Sequence, residues 1–363
     1  MRVLQVMLGD EHGGAETHFI NVVEGLQHGG IEQRVVVRDN QARISILRDA
    51  GIPTIQLSKA DVSSNTASAI LRKELENFKP DIVQTWMYQA TRAMPSGDFV
   101  HVGWLRGYQN LKEYRRCDYL VGMTTGIVSS VTEQRWPAER IYHIRPFADI
   151  RTAPPAPRAE FGTPEGVPLL VALGRLHWHK GYDTLLMALA LIPNAYLWIA
   201  GDGEILADLQ KFATEINVIE RVRFLGWQED NARLYAAADV IVLPSRYEPF
   251  GLVMPEAWAH KKPLVATKAA GPRATAQHEV DALLVAIDDV DGLASNIKRL
   301  LTDDELRQRL IQQGYTHYLQ DYTLQSTVNQ YKQFYAEVLQ KGQVANKSVS
   351  ASFLDKVKSL FGK

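Results

Sequence analysis

A chain of 363 residues is longer than one ordinary hydrophobic core serves, and it points to two domains. Its 46% hydrophobic and 22% charged residues are those of a globular protein, and a formal net charge of -1 gives no global reason to expect nucleic acid as a partner. A single cysteine, Cys117, excludes a disulfide framework and suits a reducing compartment, with packing as its expected role.

The N-terminal run is apolar but short, since Glu11, His12 and Glu16 follow at once. It lacks the h-region of a secretory signal, and no apolar run reaches the length of a membrane span. The expected location is the cytoplasm. Strands are expected at 3–8, 34–37, 54–57, 82–85, 100–104, 119–123 and 141–144, with helices between them at 16–26, 67–78 and 126–134. Arg151-Thr-Ala-Pro-Pro-Ala-Pro-Arg158 breaks this rhythm, because its prolines remove donors and favour an extended chain. The alternation then restarts. Strands are expected at 169–173, 196–200, 222–225, 240–243, 264–266 and 283–285, and helices at 182–191, 204–216, 232–238 and 252–259. Beyond Asp291 the pattern is mostly helical, to Leu301 and again over 304–339.

Alternation of this kind implies an α/β protein of two Rossmann-like, doubly wound domains facing across a cleft. The expected boundaries are 1–150 for the first domain, 151–167 for a linker and 168–325 for the second. A helix at 326–341 packs outside or crosses back to the first domain, and 342–363 form a spacer and a tail helix.

The most informative stretch is Pro244-Ser-Arg-Tyr-Glu248-Pro-Phe-Gly251-Leu-Val-Met-Pro-Glu256. It follows an apolar strand and places two carboxylates around a Phe-Gly turn that leads into a helix. That is the form of a binding site at the carboxyl end of a parallel strand. Gly174-Arg175-Leu-His177-Trp178-His179-Lys180-Gly181 closes the first strand of the second domain, and Arg175 and Lys180 there suit a diphosphate. A solvated loop with ordinary cations is the alternative. His177 and His179 lack a third ligand nearby, so no metal site is assigned. Gly13-Gly14-Ala15-Glu16 opens the first helix, where free amides can meet a phosphate or a sugar hydroxyl; a tight turn is the plainer reading. Gly201-Asp-Gly203 reads as a turn, because Leu206 stands where a dinucleotide motif needs glycine.

Taken together, Gly174-Arg-Leu with Lys180-Gly181, Gly201-Asp-Gly203, Phe224-Leu-Gly226, Asp239-Val-Ile-Val-Leu-Pro-Ser245, Glu248-Pro-Phe-Gly-Leu-Val-Met-Pro-Glu256 and Pro263-Leu-Val-Ala resemble the retaining glycosyltransferases of family 4, which have the GT-B fold. The match runs over about half the chain. It is weaker in the first half, through Gly13-Gly14-Ala15-Glu16 and Pro146, and parts of the tail region resemble bacterial lipopolysaccharide-core enzymes. The resemblance implies a UDP-sugar or GDP-sugar donor on the second domain and the acceptor on the first. By it, Arg175 and Lys180 hold the diphosphate, Glu256 takes the ribose hydroxyls and Glu248 faces the donor sugar. Gly13, Gly14, Gly174, Phe250, Gly251 and Leu252 complete the donor site, and Glu248, Arg175 and Lys180 form its catalytic set. The resemblance also implies retention of configuration with neither a cofactor nor a metal, the two cations neutralising the departing diphosphate.

This chain departs from the family where many relatives have a histidine at the end of a first-domain strand. Here Arg106 takes that place, with His101 five positions earlier, so Glu16 and Arg106 are assigned to the acceptor side. The family's Pro-Asn-Gly is Pro146-Phe-Ala-Asp149, and its Gly-rich turn is replaced by Gln277-His-Glu-Val-Asp-Ala282. In the tail, Phe353, Leu354, Val357, Leu360 and Phe361 fall on one helical face, with Lys356, Lys358 and Lys363 beside them. That pattern suits the anionic surface of an inner membrane. The expected protein is a membrane-peripheral hexosyltransferase acting on a lipid-linked bacterial glycan, the lipopolysaccharide core. The alternatives are a sugar-nucleotide epimerase or phosphorylase on the same fold, or a non-catalytic sugar-binding subunit.

Overall fold

The computed structural model describes residues 1–9, 14–62, 66–148, 150–228 and 230–341. The chain forms two units, Met1–Arg145 with the residues from 324 to 341, and Pro146–Thr323. Residues 151–167, expected as a linker, are grouped in the second unit, and the chain passes between units at Arg145 rather than at 150.

The first unit is built on β1 (Arg2–Met7), β2 (Glu32–Arg38), β3 (Thr54–Leu57), β4 (Ile82–Trp86), β5 (Val100–Leu105), β6 (Tyr119–Gly122) and β7 (Ile141–His143), in the spatial order β3-β2-β1-β4-β5-β6-β7. Neighbouring strands pair in parallel. The whole of β4 is buried, as expected of a central strand covered by helices on both faces. Burial includes Gln84, and a chain of hydrogen bonds links the polar groups here, although Gln84 Nε2 has no partner among the described residues. Trp86 Nε1 donates to Gln5 Oε1 at 2.8 Å, Gln5 Nε2 to Gln33 Oε1 at 3.1 Å, and the Tyr335 hydroxyl to Gln84 Oε1 at 2.6 Å. Tyr335 belongs to a helix at 324–341, which buries Tyr331, Phe334, Tyr335 and Val338 in this unit. The stretch expected as helical over 304–339 is interrupted at Tyr322 and Thr323, where the Tyr322 carbonyl accepts from Ala148 N–H at 3.0 Å.

The second unit holds β8 (Leu169–Leu173), β9 (Tyr196–Ala200), β10 (Val222–Gly226), β11 (Val240–Leu243), β12 (Leu264–Thr267) and β13 (Leu283–Val285), in the order β10-β9-β8-β11-β12-β13. These strands are also parallel. Leu170, Ala172, Leu197, Ile199, Val240 and Val242 face a core closed by Leu185, Leu186, Leu189, Leu293 and Ile297 from the covering helices. In each unit the strand order reverses beside the first strand, between β1 and β4 and between β8 and β11. Ligands of open α/β sheets bind outside the carboxyl ends of the strands at such a point.

Each expected strand is present to within two residues. Four α-helices among the described residues were not expected: the short Lys59–Val62 and Ala270–Thr275, and two longer ones in the first unit. Gln41–Asp49 is capped by Asn40, whose side chain accepts from Arg43 N–H at 3.2 Å. Met87–Ala93 starts directly at the end of β4, with Met87 at φ +66°. No helix among the described residues is long and apolar enough to cross a membrane.

Candidate functional site

In the second unit the chain leaves β8 through Gly174 and leaves β11 through Pro244. The two loops that follow pack backbone against backbone. Gly181 has φ +64°, and a Cβ there would lie 2.2 Å from the Pro244 carbonyl oxygen, so a side chain at 181 would force the loops apart. A third loop closes in from β9: a Cβ on Gly203 would lie 2.1 Å from the Leu176 carbonyl oxygen, and one on Gly201 at 2.1 Å from that of Gly174. Gly201 and Gly203 therefore serve loop packing and form no nucleotide fingerprint.

Arg246 fastens this assembly. Its N–H donates to the His179 carbonyl at 2.7 Å, and its guanidinium reaches the Trp178 carbonyl at 2.9 Å. The same guanidinium forks onto Asp183 at 2.8 and 2.7 Å and meets Asp288 at 2.7 Å. Burial alone would push the Asp183 carboxyl up, but the hydrogen bonds and charge of Arg246 outweigh it and hold the group below its ordinary value. The Asp183 hydrogen bond is likewise the main reason that the guanidinium is held above its own.

Behind this clamp, Lys180 Nζ meets Glu248 Oε2 at 2.5 Å, and the Ser245 hydroxyl donates to the same oxygen at 3.3 Å. Glu248 is buried, and its carbonyl accepts from Gly271 N–H at 2.7 Å. Gly271 must be glycine, since a Cβ would lie 2.4 Å from the Phe250 carbonyl oxygen. Phe250 and Gly251 are buried, Leu252 is half-buried, and Gly251 takes φ +91° ahead of the helix Val253–Ala259. The first amides of that helix have no intrahelical acceptor. The helix also carries Glu256, which accepts from the Tyr235 hydroxyl at 2.5 Å. Tyr235 is buried and stacks on His260 with 4.9 Å between ring centroids and 5° between planes. Burial first, then the Glu256 charge, raises the phenol well above its ordinary value. On the far side, Gly314 lets the helix Asp304–Asp321 press against Trp258, where a Cβ would meet the indole at 2.4 Å.

Lys180, Glu248 and Glu256 thus stand on neighbouring elements at the carboxyl end of the sheet, each with a defined partner. Arg175 stands apart. Its side chain is 73% exposed and reaches Glu204 only at 3.4 Å, while the other Glu204 oxygen faces His177 Nε2 at 3.3 Å. Among the described residues no group of three or more His, Cys, Asp or Glu could hold a metal ion.

The first-unit residues are more scattered. Gly14 begins the helix Gly14–His28, and Gly13 lies outside the described residues. Glu16 is buried rather than solvent-facing, with Oε1 2.9 Å from where a Cβ on Gly9 would stand. Met87 presses on the same glycine, its Cε 2.1 Å from that point, and its positive φ is a strained conformation for a bulky residue. Arg106 is exposed at the end of β5. His101 is buried on β5 with Nε2 3.0 Å from the Thr85 hydroxyl, and burial lowers its pKa to about 4. Cys117 is buried with its thiol pushed up by burial, as packing requires. The spacer and tail helix expected at 342–363 lie outside the described residues. Sequence reasoning missed Arg246 and Tyr235, whose partners lie far off along the chain.

A family profile described as "Glycosyl transferases group 1" matches residues 155–317. The lipopolysaccharide core biosynthesis glycosyltransferase LpsD of Rhizobium meliloti (strain 1021) is 34% identical over 313 residues, 85% of this chain and 91% of that protein. LpsE of the same strain, described in the same words, is 32% identical over 340 residues, 93% of this chain and 99% of that one. Among solved structures, Anabaena HepE in complex with UDP-glucose superposes with a TM-score of 0.80 at 21% identity, covering 94% of this chain and all of that one (100%).

Proposed function

The chain belongs to the group 1 glycosyltransferases, with the GT-B fold, and from that premise we propose that it moves a hexose from a nucleoside-diphosphate sugar to a hydroxyl of a lipid-linked bacterial glycan, the lipopolysaccharide core. The core as acceptor is supported by the two Rhizobium relatives, both lipopolysaccharide core biosynthesis glycosyltransferases, which this chain matches over most of their length. The observation that carries the donor site is the pair of anchored carboxylates, Glu248 on Lys180 and Glu256 on Tyr235, at the switch point of the second sheet.

In this reading Lys180 and the exposed Arg175 take the diphosphate, and their charges stabilise it as it leaves without calling on a metal. Glu256 accepts from the ribose hydroxyls. Glu248 meets the donor sugar, released from Lys180 as that cation turns to phosphate. The amides of Phe250, Gly251 and Leu252 add donors to phosphate and sugar, with Gly174, Gly13 and Gly14 giving close backbone approach. Glu16 and Arg106 belong to the acceptor side, where the Arg106 guanidinium binds an anionic group and cannot serve as a base. Transfer proceeds with retention, the leaving phosphate taking the proton of the acceptor hydroxyl. The tail from Phe353 to Lys363 rests on the anionic inner-membrane surface.

Thermal-shift and turnover screens against UDP-sugars and GDP-sugars test the donor. One family of nucleotides is expected to stabilise the protein, with Glu256→Ala weakening nucleotide binding and Glu248→Ala cutting turnover more. No stabilisation by any of them, or equal nucleotide affinity for wild type and Glu256→Ala, overturns the assignment. Deleting residues 347–363 is expected to reduce binding to phosphatidylglycerol vesicles without changing the melting temperature; unchanged binding refutes the membrane contact.

A further inference from the structure

Large aromatic side chains open to solvent are the exception in a folded surface, and the loops around the Lys180–Glu248 pair carry two. Trp178 is 56% exposed and Tyr247 is 46% exposed. They are parts of one ring assembly. The His179 imidazole lies between them, 4.1 Å from the Trp178 ring and 5.3 Å from the Tyr247 ring, and the His177 ring stacks on it at 4.4 Å and 22°. The backbone under these rings is held firmly. His179 N–H donates to His177 Nδ1 at 3.1 Å, and the His179 carbonyl receives the N–H groups of both Arg246 and Tyr247. Exposed rings fixed in this way cost nothing further to order when a flat partner arrives.

The surrounding charge decides what that partner is. Arg246 is shared between Asp183 and Asp288, Lys180 is matched by Glu248, and Arg175 by Glu204. The assembly therefore has no surplus of cations, which an anionic bilayer would require. It offers ring faces rimmed by polar groups, Arg175 and Glu204 at 73% and 52% side-chain exposure. Such a rim suits a ligand with one apolar face and hydroxyls along its edge, and a pyranose ring has that form. The position agrees, since Trp178 and His179 precede Lys180 directly and Tyr247 precedes Glu248.

We propose that His177, Trp178, His179 and Tyr247 form a saccharide platform that holds a pyranose ring of the acceptor glycan beside the donor site. This rests on the reading of the acceptor as a glycan. The ring bound here is a sugar of the acceptor other than the one whose hydroxyl reacts, so the platform sets affinity and length preference without entering the chemistry.

The test uses the full chain and lipid-free core oligosaccharide released by mild acid from lipopolysaccharide. Wild type, Trp178→Ala, Trp178→Phe and Tyr247→Ala are titrated with the oligosaccharide and, separately, with UDP. Each is also mixed with phosphatidylglycerol vesicles. Trp178→Ala is expected to bind the oligosaccharide roughly tenfold more weakly, the scale of one lost ring contact, with the melting temperature and UDP affinity unchanged. Trp178→Phe should retain most of the binding, whereas in Trp178→Ala the KM for acceptor should rise with kcat preserved. Equal oligosaccharide affinity in wild type and Trp178→Ala overturns the platform. So does a selective loss of UDP affinity, which would make the rings a nucleobase stack, or a selective loss of vesicle binding. If wild type binds UDP but no oligosaccharide, the glycan-acceptor reading falls with the platform; unchanged titrations on a wild type that does bind oligosaccharide remove the platform alone.

Discussion

Replacing Tyr235 by Phe removes one hydroxyl and leaves the ring, its stacking on His260 and the backbone in place. The lost bond is the 2.5 Å donation to Glu256, made by a buried phenol to a carboxylate. A hydrogen bond to a charged partner contributes about 1.5–3 kcal/mol. Glu256 is only half-buried, so water recovers part of that, and the phenol no longer has to be kept out of water. The net expected cost is about 1–2 kcal/mol, or roughly 2–8 °C in the melting temperature of a unit the size of Pro146–Thr323. The functional consequence is more specific. Without Tyr235 the Glu256 carboxylate loses the contact that orients it toward a ribose. Calorimetric titration with UDP should show roughly 3- to 30-fold weaker binding. Titration with 2′,3′-dideoxy-UDP, which offers no such hydroxyls, should show little difference between Tyr235→Phe and wild type. An equal loss for both nucleotides would mean that Tyr235 supports the fold and not the carboxylate. No loss for either would separate Glu256 from the ribose.

Lys180→Met should leave the buried Glu248 carboxylate without its cation, lowering stability by about 1–3 kcal/mol and donor affinity by more than tenfold; adding Glu248→Gln should restore the melting temperature but not the binding. Restored donor affinity in the double variant would refute a phosphate role for Lys180. Gly203→Ala should destabilise the second unit by about 1–3 kcal/mol in urea melts, since its methyl group meets the Leu176 backbone at 2.1 Å; a neutral effect would show that the loop gives way. Acid should weaken the first unit. Burial lowers the pKa of His18 and of His101 from 6.5 to about 4, so between these values the unfolded chain binds protons that the folded one refuses. The contribution of each is fully present above pH 6.5 and is lost as pH falls toward 4, at most about 3 kcal/mol per residue. Urea melts at pH 7.5 and pH 5 should show it, and His101→Gln should narrow the difference; an unchanged difference assigns the effect elsewhere.

The strands were legible because a parallel sheet covered on both faces demands continuous apolar runs, as in Val240–Leu243 and Leu169–Leu173. The helix Gln41–Asp49 has mean polarity too high for a periodicity reading, and Asn40 as its cap was the available signal. Met87–Ala93 has no such signal, since its start is imposed by the turn at Met87. In the site, Lys180, Glu248 and Glu256 stood out as charges at the ends of apolar strands. Arg246 looked like one more loop cation, and Tyr235 like one more core aromatic. Their roles depend on Asp183, Asp288 and Glu256, which only the fold brings to them. Gly203 is the same kind of case, a residue whose reason is another loop's backbone.

The helix at 324–341 has a consequence for the order in which the molecule comes into being. Gln84 reaches its partner Tyr335 across 251 positions of chain. At a synthesis rate of about 5–20 residues per second, roughly 12–50 s separate their appearance. Through that interval the nascent first unit holds Gln5, Gln33 and Gln84 without the hydroxyl that completes their network, and its Trp86 without Tyr331 against it. The second unit is made of one continuous stretch, all of it synthesised before the helix at 324–341. The part of the protein that is synthesised first therefore has its buried polar network completed only after the whole of the second unit has been made.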